Sequence, residues 1–212
     1  MFLPLFPLEL VVFPGEQVPL HIFEPRYRQL IGECREEGIT FGIPPVVEGR
    51  PARYGTEIGL TKVLRTYDSG ELDILTQGLQ VFRLIHFHQD VPDKLYSGGD
   101  IELIENESQC PVELQEHVLA LYNELQQALK SGRELEPSPG DNLSFRIAHH
   151  VGMEIQDKIR LIALPRESDR MAFLREHLLV AVPRLKEALQ TRQKAGANDH
   201  MKPSPQPAGP CC

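Results

Sequence analysis

The stretch VVFPGEQVPLHIFEPRYRQLI, residues 11–31, carries the signals for a strand, a tight turn, a second strand and a helix start. Pro14-Gly15 fits the two central positions of a type II turn, because proline presets φ and glycine accepts the positive φ that follows. Residues 18–23, VPLHIF, read as a strand. Pro25 then falls at the first helical position, where its missing N–H is not needed. Tyr27, Leu30, Ile31 and Cys34 recur at helical spacing until Gly38 stops the helix. The apolar residues upstream lack the make-up of a leader peptide: no basic n-region precedes them, and Pro4, Pro7 and Pro14 interrupt a helical h-region. The run is too broken to span a bilayer. It is expected to be mature structure, the strands of a folded domain.

Strand signals continue outward from this stretch. TFGIPPVV (40–47) predicts a short strand broken by prolines. EIGLTKVLRTY, Asp68-Ser69-Gly70 and ELDILTQ predict a hairpin, in which Ile58, Leu60, Lys62 and Leu64 alternate imperfectly and so imply a bulge or burial of both faces. LQVFRLIHFHQD and GDIELIE complete six or seven strands, a density that suggests a small barrel or sandwich. The period then changes. Val118, Leu121, Tyr122, Leu125 and Leu129 trace one helical stripe that ends near Gly132. EPSPGDN (136–142) is a loop by composition. Leu143, Ile147 and Val151 predict a short helix capped by Gly152, and Ile155, Ile159 and Ile162 another before Pro165. Ser168 is placed to N-cap a last helix along Leu174, Leu178, Val182, Leu185 and Leu189, which Pro183 should kink or break. The expected division is a β-rich part over 1–108, a helical part over 109–195 and a disordered tail over 196–212, where proline is frequent and no apolar stripe remains.

Composition narrows the function. The 212 residues suffice for a sizeable core, with 41% hydrophobic and 25% charged residues. A formal net charge of -8, without a basic run, argues against general nucleic-acid binding. Four scattered cysteines (Cys34, Cys110, Cys211 and Cys212) do not make a disulfide framework. Cys34, on an apolar helical pattern, is expected to be a buried reduced thiol in a cytoplasmic setting. Cys211-Cys212 would suggest prenylation only where dedicated machinery reads it.

Three segments carry a family resemblance: LPLFPLELVVFPGEQVPLHIFEPRYRQLI, YGTEIGLTKVLRTYDSGELDILTQGLQVFRLIHF and YSGGDIELIE. In their VFPG turn, FEPRY junction and ordered glycines they resemble the N-terminal domain of Lon proteases, a domain also found in cereblon and some RING-finger proteins. FRIAHHVGMEIQDKIRLIALPRESDRMAFLREHL resembles the helical part that follows in bacterial Lon, so the likeness spans roughly 1–192. It implies an α+β fold, a PUA-like β-rich pseudo-barrel followed by a helical bundle, in agreement with strands followed by helices. It also implies a protein- or peptide-recognition module. No G-x-x-x-x-G-K-[ST] loop occurs; GTEIGLTK (55–62) comes nearest, with its lysine displaced. The expectation is therefore a non-enzymatic domain that binds rather than cuts, needs no cofactor and contacts neither nucleic acid nor membrane.

The expected ligand is an apolar or extended polypeptide segment, lodged along a sheet edge or in a groove between barrel and helices. Glu24, Arg26 and Arg28 at the FEPRYR junction are the candidate peptide-binding residues. Their competing role is structural, with Arg26 pairing a carboxylate while Tyr27 packs. Phe2, Phe6 and Phe13 either line a groove or fill the core. In HFHQD (86–90), strand alternation puts His86, His88 and Asp90 on one face, the spacing of a metal-dependent site. The alternative there is a solvated strand end with Phe87 turned inward, and no fourth ligand is identifiable. His149 and His150 point about 100° apart on a helix, so one should pack and one be exposed. Ser144, His149 and Asp141 could be written as a hydrolase triad, but no G-x-S-x-G elbow supports it. RNA binding follows only from analogy with other PUA-like folds and runs against the acidic charge.

Overall fold

The computed structural model describes residues 1–133, 135–136 and 142–199, with side chains through residue 192. Pro14 and Gly15 turn the chain as their chemistry demands: Gly15 has φ 83° and the Glu16 N–H donates to the Phe13 carbonyl at 3.0 Å. This turn joins the segment after β1 (Phe2–Leu5) to β2 (Gln17–Ile22). Helix α1 (Pro25–Glu37) begins on proline and ends at Gly38, which takes the left-handed conformation at φ 70°. Strands β3 (Phe41–Ile43), β4 (Val46–Val47), β5 (Arg50–Pro51), β6 (Tyr54–Thr66), β7 (Leu72–His88) and β8 (Ser97–Leu103) follow.

The main sheet has six strands in the order β2-β7-β6-β3-β1-β8, and β8 returns to pair with β7, closing the β-barrel. Strand β7 makes closure possible. Its first half pairs with β2 and its second half with β8, while β6 runs along its other side. Where the sequence suggests a break at Gly78 between two strands, the structure has one. The glycine is there because the Phe13 backbone crosses it: a Cβ on Gly78 would lie 2.3 Å from the Phe13 carbonyl oxygen. The Gly15 N–H donates to the Gly78 carbonyl at 2.8 Å, and the Gly78 N–H to that of Glu16 at 2.9 Å. The expected bulges are present as register shifts along β6. On β2, register outward from the Glu16–Gly78 bond points Val18, Leu20 and Ile22 at β7 and leaves Gln17, Pro19 and His21 on the free edge. Pro19 thus gives up no ladder bond, and it denies an incoming strand one donor.

Helix α1 packs Tyr27, Leu30, Ile31 and Cys34 into the barrel core with Phe6, Phe41, Ile58 and Ile74. Burial raises the Cys34 thiol pKa to about 11, as befits an inert, packed thiol.

Helices α2 (Val112–Leu129), α3 (Leu143–Ala148), α4 (Ile155–Ile162) and α5 (Glu167–Asp199) form the second part. Val118, Tyr122 and Leu125 of α2 meet Leu174, Leu178 and Val182 of α5 in a core that also takes in Val11, Phe13 and Val81 of the barrel. Three local expectations are corrected. Helix α5 starts at Glu167, which puts Ser168 inside it rather than at its cap, because the Glu167 N–H is bonded to the Glu107 carbonyl at 2.8 Å. Of the kink or break expected at Pro183, the break does not occur, and α5 continues through it. Gly152, at φ 65°, turns the chain after α3 has ended, while His149 occupies the helix C-cap. Helix α5 also runs past the 195/196 boundary drawn from composition; residues 200–212 lie outside the described residues.

Arg170 holds these pieces together. It is fully buried and paired with equally buried Glu167 at 2.8 Å. Its other N–H groups reach Ser144 Oγ, Asn106 Oδ1, Asn142 Oδ1 and the carbonyls of Leu164 and Pro165. Glu167→Ala should destabilise the protein by about 3–5 kcal/mol, since it strands a buried guanidinium; urea unfolding monitored by circular dichroism measures it. Gly15→Val forces a β-branched residue to positive φ although nothing lies within 4 Å of the new Cβ. The expected loss is about 1–3 kcal/mol, from backbone strain alone.

Candidate functional site

The Pro14-Gly15 turn projects toward α3, and the space between them is a cleft of about 630 Å³. Its floor is aromatic. Phe13, carried by the turn, stacks on Phe145 of α3 with ring centroids 5.9 Å apart. Leu79 forms one wall and is 46% exposed, so an apolar side chain faces water at the mouth. It stands there because Gly59 opposite leaves room: a Cβ on Gly59 would lie 3.3 Å from a Leu79 methyl carbon. Leu135 closes another side.

Polar groups rim this floor and brace one another. One carboxylate oxygen of Glu16 accepts the Phe13 N–H at 2.9 Å, and the other meets His149 Nδ1 at 2.9 Å. Glu16 therefore ties the barrel turn to the helical part. His149 is exposed, whereas His150 is half-buried and edge-on to it at 4.7 Å; both stand in the turn that follows α3 rather than on a helix. Arg133 donates to His150 Nδ1 at 3.0 Å. Burial, the adjacent His149 and the guanidinium groups of Arg133 and Arg146 hold the His150 pKa below the ordinary histidine value. Arg146 donates to the Glu136 carbonyl at 3.0 Å. Ser, Thr and Cys do not occur among the described residues lining the cleft. The arrangement can grip an apolar side chain and order polar groups around it.

The other sequence-selected residues lie elsewhere. Glu24 and Arg26 pair at 2.7 Å, with the Arg26 guanidinium 4.6 Å from the Tyr27 ring centre. Arg28 reaches the Ser69 carbonyl at 3.0 Å and holds the β6–β7 turn. Phe6 and Phe13 are core residues, while Phe2 is 48% exposed. His86 and His88 lie on the exposed end of β7, where His88 bonds Asp100 of β8 at 2.8 Å. Phe87 beside them is 39% exposed rather than turned inward, because the strand outruns the core there. Among the described residues no group of three or more His, Cys, Asp or Glu converges to hold a metal ion. Ser144 is buried, donating to Glu167 and accepting from Arg170, and His149 is bound to Glu16 instead; Asp141 lies outside the described residues. No described helix is long and apolar enough to cross a membrane.

Sequence reasoning missed Leu79, Phe145 and Glu16 as lining residues. The available signal was Glu16 immediately after the turn glycine, where a carboxylate can return to the Phe13 N–H.

The sequence model of the ATP-dependent protease La (LON) substrate-binding domain matches residues 2–180. The structure resembles the crystal structure of a Lon N-terminal domain protein from Xanthomonas campestris, with TM-score 0.65 and 25% identity over 85% of this chain and 98% of that one. It also resembles the N-terminal domain of the Mycobacterium avium complex Lon protease, with TM-score 0.62 and 16% identity over 84% of this chain and 98% of that one, a likeness of fold.

A depressed His150 pKa has a sign that can be checked. An unfolded histidine protonates near pH 6.5, whereas folded His150 does so only at lower pH. On acidification the unfolded state binds the proton first, so stability falls from about pH 6.5 until the folded pKa is passed. His150→Gln should lose less stability than the parent between about pH 7.5 and about pH 5, measured as urea midpoints.

Proposed function

The chain belongs to the Lon substrate-binding domain family, and from that premise we propose that it recognises polypeptide segments, seating an apolar side chain in the cleft between the Pro14-Gly15 turn and α3. The observation that carries this reading is the exposed Leu79 beside the stacked Phe13–Phe145 floor, in a concave space rimmed by ordered polar groups. Recognition proceeds without chemistry: the lining offers histidines but no hydroxyl or thiol nucleophile among its described residues. Addition of a strand to β2 is disfavoured by Pro19 on the free edge, so side-chain capture carries the binding. A flexible segment loses entropy on ordering, and affinities of roughly micromolar or weaker follow. The net charge of -8 disfavours nucleic acid as the ligand.

A second surface has its own support. Phe23 is 57% exposed next to the Glu24–Arg26 pair, so Glu24, Arg26 and Arg28 can border an apolar contact at the start of α1.

Leu79→Asp decides between them. Its side chain is half in water, so the thermal midpoint should hold, while affinity for a labelled, permanently unfolded polypeptide should fall at least about fivefold, the loss of one buried apolar contact. Fluorescence anisotropy measures this. Unchanged affinity would move recognition to the Phe23 face, where Phe23→Asp would then weaken it.

A further inference from the structure

A second cleft, of about 320 Å³, opens at the C-terminal end of α2 and shares Leu135 with the first. Arg133 lines it, and its guanidinium donates across to His150 of the neighbouring cleft, so the two spaces adjoin. Its walls are rich in donors: the amides of Asn123, Gln126 and Gln127, the Lys130 ammonium and the Arg133 guanidinium.

One of those donors has nothing to donate to among the described residues. Gln126 is 4% exposed, its Oε1 accepts from Ser131, and its Nε2 has no hydrogen-bond partner among them. The Tyr122 hydroxyl, one helical turn away, is likewise buried without a partner, in the field of Arg133 and Arg146. Two orphaned buried polar groups in one place are costly unless something completes them. The missing partner must be an acceptor at Gln126, and the neighbouring charges make an anionic acceptor the better match. The C-terminus of α2 opposes an anion with about half a negative charge, but Lys130 and Arg133 bring two full positive ones. The Glu136 carboxylate at the rim, exposed like Lys130 and Arg133, offsets one of these charges, and the Glu16 carboxylate is already bonded to Phe13 and His149.

We propose that this second cleft takes the side-chain carboxylate of an acidic residue, borne by the same polypeptide segment whose apolar side chain occupies the first cleft. The inference rests on the recognition reading above and names its substrate class: segments with an aromatic or aliphatic residue followed closely by Asp or Glu. In an extended segment, residues two apart share a face, which lets one strand of ligand fill both spaces.

The test uses two fluorescein-labelled unfolded peptides that share a phenylalanine and differ only two positions later, Glu in one and Gln in the other. The full chain should bind the Glu peptide about five- to tenfold more tightly, with a preference that shrinks as salt rises. Lys130→Gln, which lines the second cleft alone, should erase the preference while leaving Gln-peptide affinity unchanged. Gln126→Met, which keeps the buried volume, should also erase it, with thermal midpoints of both variants confirming the fold. Equal affinity for the two peptides overturns the acidic subsite and leaves apolar recognition standing. A preference that survives both substitutions places the carboxylate elsewhere and overturns this site. Failure of both peptides to bind, with the fold intact, overturns the recognition reading and this inference together.

Discussion

The Arg170–Glu167 pair is the contact on which the rest of the architecture rests. Removing both charges from water costs several kcal/mol per ion, and the structure offsets this by satisfying the guanidinium from many sides. Its partners come from the segment after β8, the start of α3, the turn before α5 and α5 itself. Segments distant in sequence are thereby fixed to one planar group. The guanidinium also lies over Phe145 at 4.4 Å, and Phe145 stacks on Phe13 of the barrel turn. A continuous path of buried contacts thus leads from the helical core to the floor of the cleft.

That path makes the floor of the cleft rigid, as the proposed recognition of a side chain there requires. Phe13 and Phe145 are 2% and 1% exposed, so the floor belongs to the core as much as to the site. Leu79, half in water at the mouth, keeps room to adjust. A preformed floor lowers the ordering cost on the protein side of any complex and leaves most of it to the flexible ligand. The Glu16–His149 bridge acts at the rim in the same sense, since it fixes the turn against α3.

The strands, the opening turn, the α1 boundaries and the apolar stripes of α2 and α5 were legible in the sequence because local chemistry dictates them. Pro14-Gly15, Pro25 and Gly38 each need a specific φ, and the stripes need only a period. Gly78 misled because its reason is tertiary: the backbone that crosses it comes from residue 13. Ser168 misled for a similar cause, as the Glu167 N–H is claimed by Glu107 rather than by a local cap. The cleft was hidden for the same reason. Leu79, Phe145 and Glu16 belong to three separate elements, and no spacing rule brings them together. Nor could any pattern single out Gln126, whose position on the buried side of α2 looks ordinary until its amide N–H is seen to lack an acceptor among the described residues.

Closure of the barrel also sets the order in which a growing chain can fold. β1 pairs with β8, and the Met1 ammonium donates to the Ile101 carbonyl at 2.9 Å. During synthesis β1 therefore waits about a hundred residues for one of its two neighbours, with its edge unpaired meanwhile. The β6–β7 hairpin, made of contiguous chain, can form first and offer the template on which β2 and β8 dock. A member of the Lon substrate-binding domain family thus presents an unpaired strand of its own while it is being made.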